Sequence, residues 1–356
     1  MGFNGLTYSC KNKLIPGQAV KVPLRGRVAV GVVVNKKTAP GFSVKPIEDI
    51  IRNVVLPTET LQLLCWLRDY YPSGLGSIST LFLPKNLLLK QQVNKNSSAF
   101  NVKKQKLPRL TKQQASVVGS IKRLSVRHTA FLLHGETGSG KTRIYIELAR
   151  DCLNEGKSVV ILTPEISLTP QLINSFRSTF NNQVLTIHSS LSAATRKTAW
   201  LNILSSNRPL VVIGPRSALF VPLSNIGLIV VDEAHETAYK QEQAPRYNAL
   251  RVASKLALLH KAKIIFGSAT PNVTEYFLAK KKDIPILRLT EKPLDSSDAQ
   301  KLEIKIVGTR DRNNFTRHPY MSNELLEAVE TKLNNNEQSL IFEFLNYPRV
   351  FQSVLR

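Results

Sequence analysis

This 356-residue chain contains only three cysteines and about half as many acids as bases. Cys10, Cys65 and Cys152 are far apart and form no C-x-x-C pair. That excludes a disulfide framework and a cysteine-based zinc site, and it suits thiols in a reducing cytosol. No apolar run approaches the roughly 20 residues that a membrane helix needs, and even "LFLPKNLLL" at Leu81–Leu89 falls far short. The start, "MGFNGLTYSCKNK", lacks the charged-then-apolar pattern of a signal peptide. These absences predict a cytoplasmic protein with no membrane association. Apolar residues make up 42% and charged residues 21%, which excludes wholesale disorder.

The scarcity of acids is the informative deficit. With 49 Lys and Arg against 25 Asp and Glu, the net charge of +24 calls for a polyanionic partner, nucleic acid first. Residues 1–110 hold 17 of the bases and 4 of the acids, so the first third carries over half of the excess.

That third opens with alternating Val-rich runs, "QAVKVPL" and "GRVAVGVVVNKK", which predict a small sheet or barrel. "TETLQLLCWLRDYYP" predicts an amphipathic helix capped by Thr58. The organisation expected is a small α+β, β-rich domain over 1–90 and a basic linker over 91–109. From Leu110, short buried-type runs ("AFLLHG", "SVVILT", "VLTIHS", "PLVVIG", "GLIVVDE", "AKIIFGSAT") alternate with helical stretches. They predict an α/β lobe with a parallel sheet over 110–320, ligands lying at the strand C-termini.

"HGETGSGKT" at His134–Thr142 follows one such strand and fits G-x-x-x-x-G-K-[ST]. Its glycines let backbone N–H groups and a helix start point at phosphate. Gly135, Glu136, Thr137, Gly138, Ser139 and Gly140 would form the cradle. Lys141 would reach the β/γ-phosphates, and the Thr142 hydroxyl would ligate Mg2+. "VDEAHE" ends another strand, where Asp232 suits the magnesium sphere and Glu233 suits deprotonation of an attacking water. Together they imply ATP hydrolysis. In "FGSATPN", Ser268 and Thr270 are candidates for linking that site to a neighbouring surface.

These three elements, in this order, resemble superfamily 2 helicases of the DEAH type. "LTKQQASVV", "LTPEISLTPQ", "IHSSLS", "IGPRSALFVP", "DEAHETAYKQEQAPRYNALRVA" and the N-terminal "LIPGQAVKVPLRGRVAVGVVV" narrow the resemblance to the primosomal replication-restart helicases, the PriA (primosomal protein N′) family. The resemblance implies a RecA-like ATP-binding lobe in which Gln114 contacts adenine. It places Thr163, Pro164, Glu165, Arg216 and Ser217 along a DNA strand. For Arg216 the residues alone leave a phosphate contact and a surface salt bridge both open. Tyr239 and Tyr247 fall in a stretch resembling a loop that couples DNA sensing to ATPase activity, with base stacking and core packing equally open. The N-terminal module resembles a domain that recognises the 3′ end of a nascent strand, with Lys21, Arg25, Arg27, Lys36 and Lys37 as phosphate contacts.

The expectation is therefore an ATP-dependent 3′-to-5′ DNA helicase acting in the restart of stalled forks and primosome assembly. Its partners would be forked DNA with a single-strand/duplex junction and, by the resemblance, restart proteins and single-strand-binding protein. Four departures from the family pattern qualify this. Zinc is expected in the family, but its cysteine cluster is absent from this sequence. "FLNYPRVFQSVLR" departs from the family's "FLN"-Arg-Arg-Gly and predicts a truncated chain, with 321–356 the start of a second lobe. The stretch before Leu110 leaves no room for a winged helix, and "YNALRVA" has Leu250 and Arg251 where the family has Arg-Asp. The alternative function is an ATP-binding, fork-DNA-binding module without motor activity.

Overall fold

The structure, a computed structural model, describes residues 5–37, 41–84, 87, 107–164, 170–291, 305–308, 311–335, 337 and 339. The expected linker falls almost wholly outside them, as does Glu165. Residues 1–294 form one compact unit and 295–356 a second.

The first unit begins with an antiparallel sheet of β1 (Gln18–Leu24), β2 (Arg27–Val32) and β3 (Asp49–Val55), in the order β2-β1-β3. Leu24 pairs with Arg27, so β1 and β2 are joined by the two-residue turn Arg25-Gly26, both with positive φ. This handedness matches the twist of a hairpin. β3, with Arg52 and Asn53 interrupting its apolar residues, was not apparent from sequence. Helix α1 (Thr58–Tyr70) follows, but its cap position is Pro57 and no side chain caps it. Thr58 is already the first helical residue, which corrects the expected cap. A short α2 (Leu75–Phe82) completes this part.

The rest of the unit alternates helices and strands. They are α3 (Lys112–Leu124), β4 (Ala130–Gly135), α4 (Lys141–Asn154), β5 (Ser158–Leu162), α5 (Pro170–Phe180), β6 (Val184–Thr186), α6 (Ala193–Leu204), β7 (Val211–Gly214), β8 (Ile226–Val231), α7 (Ala249–His260), β9 (Lys263–Ser268), α8 (Val273–Lys281) and β10 (Ile286–Leu289). The seven strands β4–β10 form one parallel sheet in the order β10-β4-β9-β8-β5-β7-β6. Six lie in the apolar runs expected, whereas β10, a four-residue edge strand, had no sequence signal.

The period of two along each strand builds two cores from one sheet. Val160 and Leu162 of β5, with Ile229 and Val231 of β8, face a layer made by α7, α1 and α2. Val159 and Ile161, with Leu228 and Val230, face α3, α4 and α5. The N-terminal helices are thus part of the lobe's core, since Leu63, Leu67, Ile78 and Phe82 are buried in the same cluster as α7. The small sheet packs there too: Ala19, Val54 and Leu56 meet Trp200 of α6, whose indole N–H donates to the carbonyl of Phe82 at 2.9 Å. These helices therefore tie the N-terminal module directly to the lobe.

In the second unit, α9 (Asn323–Asn334) is capped by the Ser322 hydroxyl. Lys305 pairs with Glu324 at 2.6 Å, Arg317 pairs with Glu330, and no residue of α9 is buried. The boundary expected at 320 falls within this unit. Among the described residues no helix is long and apolar enough to cross a membrane.

Candidate functional site

Strand order brings the three motifs together. β4, β9 and β8 are neighbours, and their C-terminal ends lead respectively into the glycine loop, the Ser268–Thr270 turn and Asp232–Glu236. Ligands collect at such ends because loops there converge on the helix N-termini.

In the loop, Gly138 and Gly140 have φ of +80° and +84°, a region that a side chain disfavours. The bends turn the chain back into α4, whose first residue is Lys141. Ser139 is buried, and its N–H and hydroxyl both bond the Glu136 carbonyl. Glu136, Thr137 and Gly138 form the exposed crest. Lys141 is only 7% exposed; its ammonium donates to the Gly135 carbonyl at 2.8 Å and lies 3.4 Å from Glu233. Gln114 closes the loop from behind. Its amide oxygen and the Thr111 hydroxyl form a reciprocal capping box, while its amide N–H donates to the Ser139 carbonyl at 3.2 Å.

Asp232 accepts a hydrogen bond from the Tyr145 hydroxyl at 3.0 Å. Burial, and then the negative charge of Glu233, push its carboxyl up to about 6. The Tyr145 donor and Lys141 act in the opposite direction. Burial holds the Tyr145 hydroxyl well above its ordinary range, so it remains a donor. Tyr145 is four residues beyond Lys141 and so shares its helix face. That spacing was readable, but the expected site omitted it. Gly267 is required next to it, since a Cβ there would lie 1.8 Å from the Tyr145 hydroxyl.

Glu233 adopts a left-handed φ of +45°, uncommon for a residue with a side chain. Its carboxylate faces both Lys141 and His235, the latter at 3.6 Å. His235 also bonds the buried Ser268 hydroxyl at 2.8 Å, and the same hydroxyl accepts from the Thr270 N–H. Ser268 thus connects β9 to the end of β8 through His235, a residue the sequence reading did not assign. Thr270 contributes its backbone there, and the residue itself is exposed.

These residues fit a magnesium nucleotide. The fold-back of the glycine loop onto a helix start makes an anion cradle with a buried ammonium beside it. Mg2+ takes few protein ligands and keeps phosphate oxygens and waters, so one carboxylate (Asp232) and one hydroxyl (Thr142) are a sufficient donor set. Among the described residues no group of three His, Cys, Asp or Glu clusters as a metal site.

Several expected DNA contacts are placed elsewhere. Tyr239 and Tyr247 are each 2% exposed, which decides for packing over stacking. The Tyr239 hydroxyl donates to the Asp232 carbonyl at 2.5 Å, and the Tyr247 ring meets Phe220 edge-on. Thr163 is 1% exposed, its hydroxyl without a partner among the described residues, because the strand period carries it inward. Such a position cannot meet a DNA strand in this conformation. Arg216 forms no ion pair among the described residues: one guanidinium nitrogen donates to the carbonyls of Ala238 (2.6 Å) and Lys240 (2.9 Å), clamping the turn after the DEAH string. Lys21 pairs with Asp49 at 3.0 Å. Ser217, Arg25, Arg27, Lys36 and Lys37 are exposed.

Two family models match this chain. Residues 4–84 match the 3′DNA-binding domain (3′BD) of PriA, and residues 111–277 match the DEAD/DEAH box helicase domain. The replication restart protein PriA of Rickettsia felis is 36% identical over 333 residues, 92% of this chain and 49% of that protein. Its counterpart in Bacillus subtilis is 40% identical over 218 residues, 61% of this chain and 27% of that protein. This chain belongs to the PriA family. It spans about half the length of the Rickettsia PriA and a smaller share of the Bacillus one. Among solved structures, RecG bound to a three-way DNA junction is 20% identical with a TM-score of 0.44, over 64% of this chain and 28% of that one. The PriA-type 3′BD match covers both the small sheet and the two helices that pack into the lobe.

Proposed function

We propose that this chain carries the DNA-end-binding module and the ATP-hydrolysing lobe of a 3′-to-5′ DNA helicase that acts at stalled replication forks. The observation that carries this reading is the convergence of the glycine loop, Asp232–Glu233 and Ser268 on the ends of three adjacent strands. We take residues 1–90 as the DNA-binding part, 110–320 as the nucleotide lobe and 321–356 as the start of a second lobe.

In this mechanism Lys141 leaves the Gly135 carbonyl to neutralise the β/γ-phosphates, and backbone N–H groups around Gly138 and Gly140 hold their oxygens. Asp232 and Thr142 would hold magnesium, which would neutralise charge building on the phosphoryl group. Tyr145 fixes one Asp232 oxygen, so the carboxylate arrives oriented. Glu233 accepts the proton of the attacking water, its carboxylate aimed by the left-handed backbone and by His235. The His235–Ser268 bond passes the state of the site to β9. Arg216, through the carbonyls of Ala238 and Lys240, ties the loop after β7 to Tyr239 and hence to Asp232. DNA lying across that loop then reaches the nucleotide site. Gln114 holds the loop by its bond to the Ser139 carbonyl, and the family resemblance assigns it the adenine contact.

The test is ATP turnover by the chain with and without forked DNA. DNA-stimulated hydrolysis that vanishes in Lys141→Ala is expected, whereas turnover surviving that change would contradict the assignment. The alternative is a fork-binding module that binds nucleotide without a motor cycle. It predicts nucleotide and DNA binding with no turnover.

A further inference from the structure

The end of the sheet opposite the nucleotide site carries a charge pattern that nothing above uses. Parallel topology brings three corners together there: the turn from α3 into β4, the turn from α7 into β9, and the turn from α8 into β10. Backbone bonds stitch them side by side, with Ile264 N–H donating to Thr129 O at 2.7 Å and Leu132 N–H donating to Pro285 O at 3.0 Å. The corners contribute Arg123 and Arg127, Lys261 and Lys263, and Lys281 and Lys282, residues spread over some 160 positions of sequence. All but the half-buried Lys263 are exposed, and none forms an ion pair among the described residues. The acids nearby are few. Asp151 pairs with Lys122 at 2.8 Å and Glu155 with Lys157 at 2.8 Å, with Lys263 also acting on Glu155; Glu59 lies close enough to His260 to act on it, and Asp283 forms no ion pair among the described residues.

Five exposed cations that form no ion pair among the described residues, with the half-buried Lys263 beside Glu155, make a concentrated positive field around adjacent strand starts. β4 has six residues at about 3.3 Å each, so this rim lies about 20 Å from the glycine loop. It is a separate surface from the strand path expected at the other end of the sheet. No Trp, Tyr or Phe lies in residues 125–129, 261–263 or 282–285, and the one ring there, that of His128, is half-buried, so the rim offers no exposed ring on which an unpaired base could stack. Cations without stacking platforms suit the backbone of a duplex, which presents phosphates densely and needs no base contact.

We propose that this rim is a second DNA-binding surface, which holds a duplex arm by sequence-independent phosphate contacts. It relies on the reading of the chain as a DNA-binding protein only for the class of polyanion.

The test uses a blunt-ended duplex and the chain with Arg123→Gln, Arg127→Gln, Lys261→Gln and Lys282→Gln. The control carries Arg196→Gln, Arg208→Gln, Arg312→Gln and Lys332→Gln, which lowers the net charge equally on other exposed positions. Each phosphate contact contributes about 0.9 to the slope of log K against log salt. The rim variant is expected to lose two or more from that slope and to bind at least tenfold more weakly at 100 mM salt. A charge-keeping variant (Arg123→Lys, Arg127→Lys, Lys261→Arg, Lys282→Arg) should behave as wild type. A rim variant that loses less than two, or no more than the control, overturns the proposal. Basal ATP turnover is measured alongside. Its absence in the unsubstituted chain would count against the motor reading and leave the salt slopes to decide the rim.

Discussion

Replacing Asp232 by asparagine should stabilise the nucleotide-free protein, and only above a defined pH. The carboxyl is driven by burial, and secondarily by Glu233, from 3.8 to about 6. Below pH 3.8 it is protonated in both folded and unfolded chains and imposes no penalty. Between 3.8 and about 6 the unfolded chain releases its proton while the folded chain keeps it, so stability falls as pH rises. Above about 6 the full penalty is present, and the gap corresponds to about 3 kcal/mol at ~1.4 kcal/mol per pH unit. Asparagine keeps the shape and an oxygen for Tyr145 but carries no charge, and it forfeits the attraction of Lys141. A net gain of about 1–3 kcal/mol at pH 8 is therefore expected, shrinking to within about 0.5 kcal/mol at pH 4. Urea unfolding of both proteins at the two pH values, in chelator and without nucleotide, measures it. An Asn variant that is less stable at pH 8, or whose advantage is the same at both pH values, would refute the reasoning. Such a gain would mark Asp232 as a group held for chemistry at a cost in stability.

Other consequences of the packing can be checked separately. Gly267→Ala places a methyl on the Tyr145 hydroxyl and should cost about 1–3 kcal/mol in thermal unfolding; adding Tyr145→Phe should restore part of it, and no restoration would refute the clash. Trp200→Phe removes the buried bond to the Phe82 carbonyl and should destabilise the chain by about 1–3 kcal/mol in denaturant. An unchanged midpoint would mean that the N-terminal helices are not anchored there. Tyr247→Ala should cost about 3–5 kcal/mol of stability, as an emptied core position does. A fully stable variant with reduced DNA affinity would instead support base stacking.

The nucleotide loop and the parallel sheet were legible because each is encoded locally. A buried strand announces itself as "AFLL" or "LIVV", and the glycine spacing announces the cradle. Strand order was not local, and it alone places Ser268 between Lys141 and Asp232. Tyr145 could have been found from its i+4 relation to Lys141, but only the fold shows that Asp232 is within reach. Tyr239 and Tyr247 follow the same logic. An aromatic in a loop-like stretch can serve a ligand or the protein's own core, and tertiary packing chose the core. β10 and β3 were missed because one is a four-residue edge strand and the other alternates weakly. The packing of Leu63, Leu67 and Phe82 into the lobe depends on contacts over 100 or more residues of sequence, beyond what periodicity can report.

The central claim is that the loop at Gly135–Thr142 and Asp232 form a single magnesium-nucleotide site. Calorimetric titration of the chain with ATP, in magnesium and in chelator, tests it most directly. Saturable binding that is tighter with magnesium, at least tenfold weaker in Lys141→Ala and insensitive to magnesium in Asp232→Asn, is the predicted result. Binding that ignores both substitutions, or no binding by the folded chain, would contradict it.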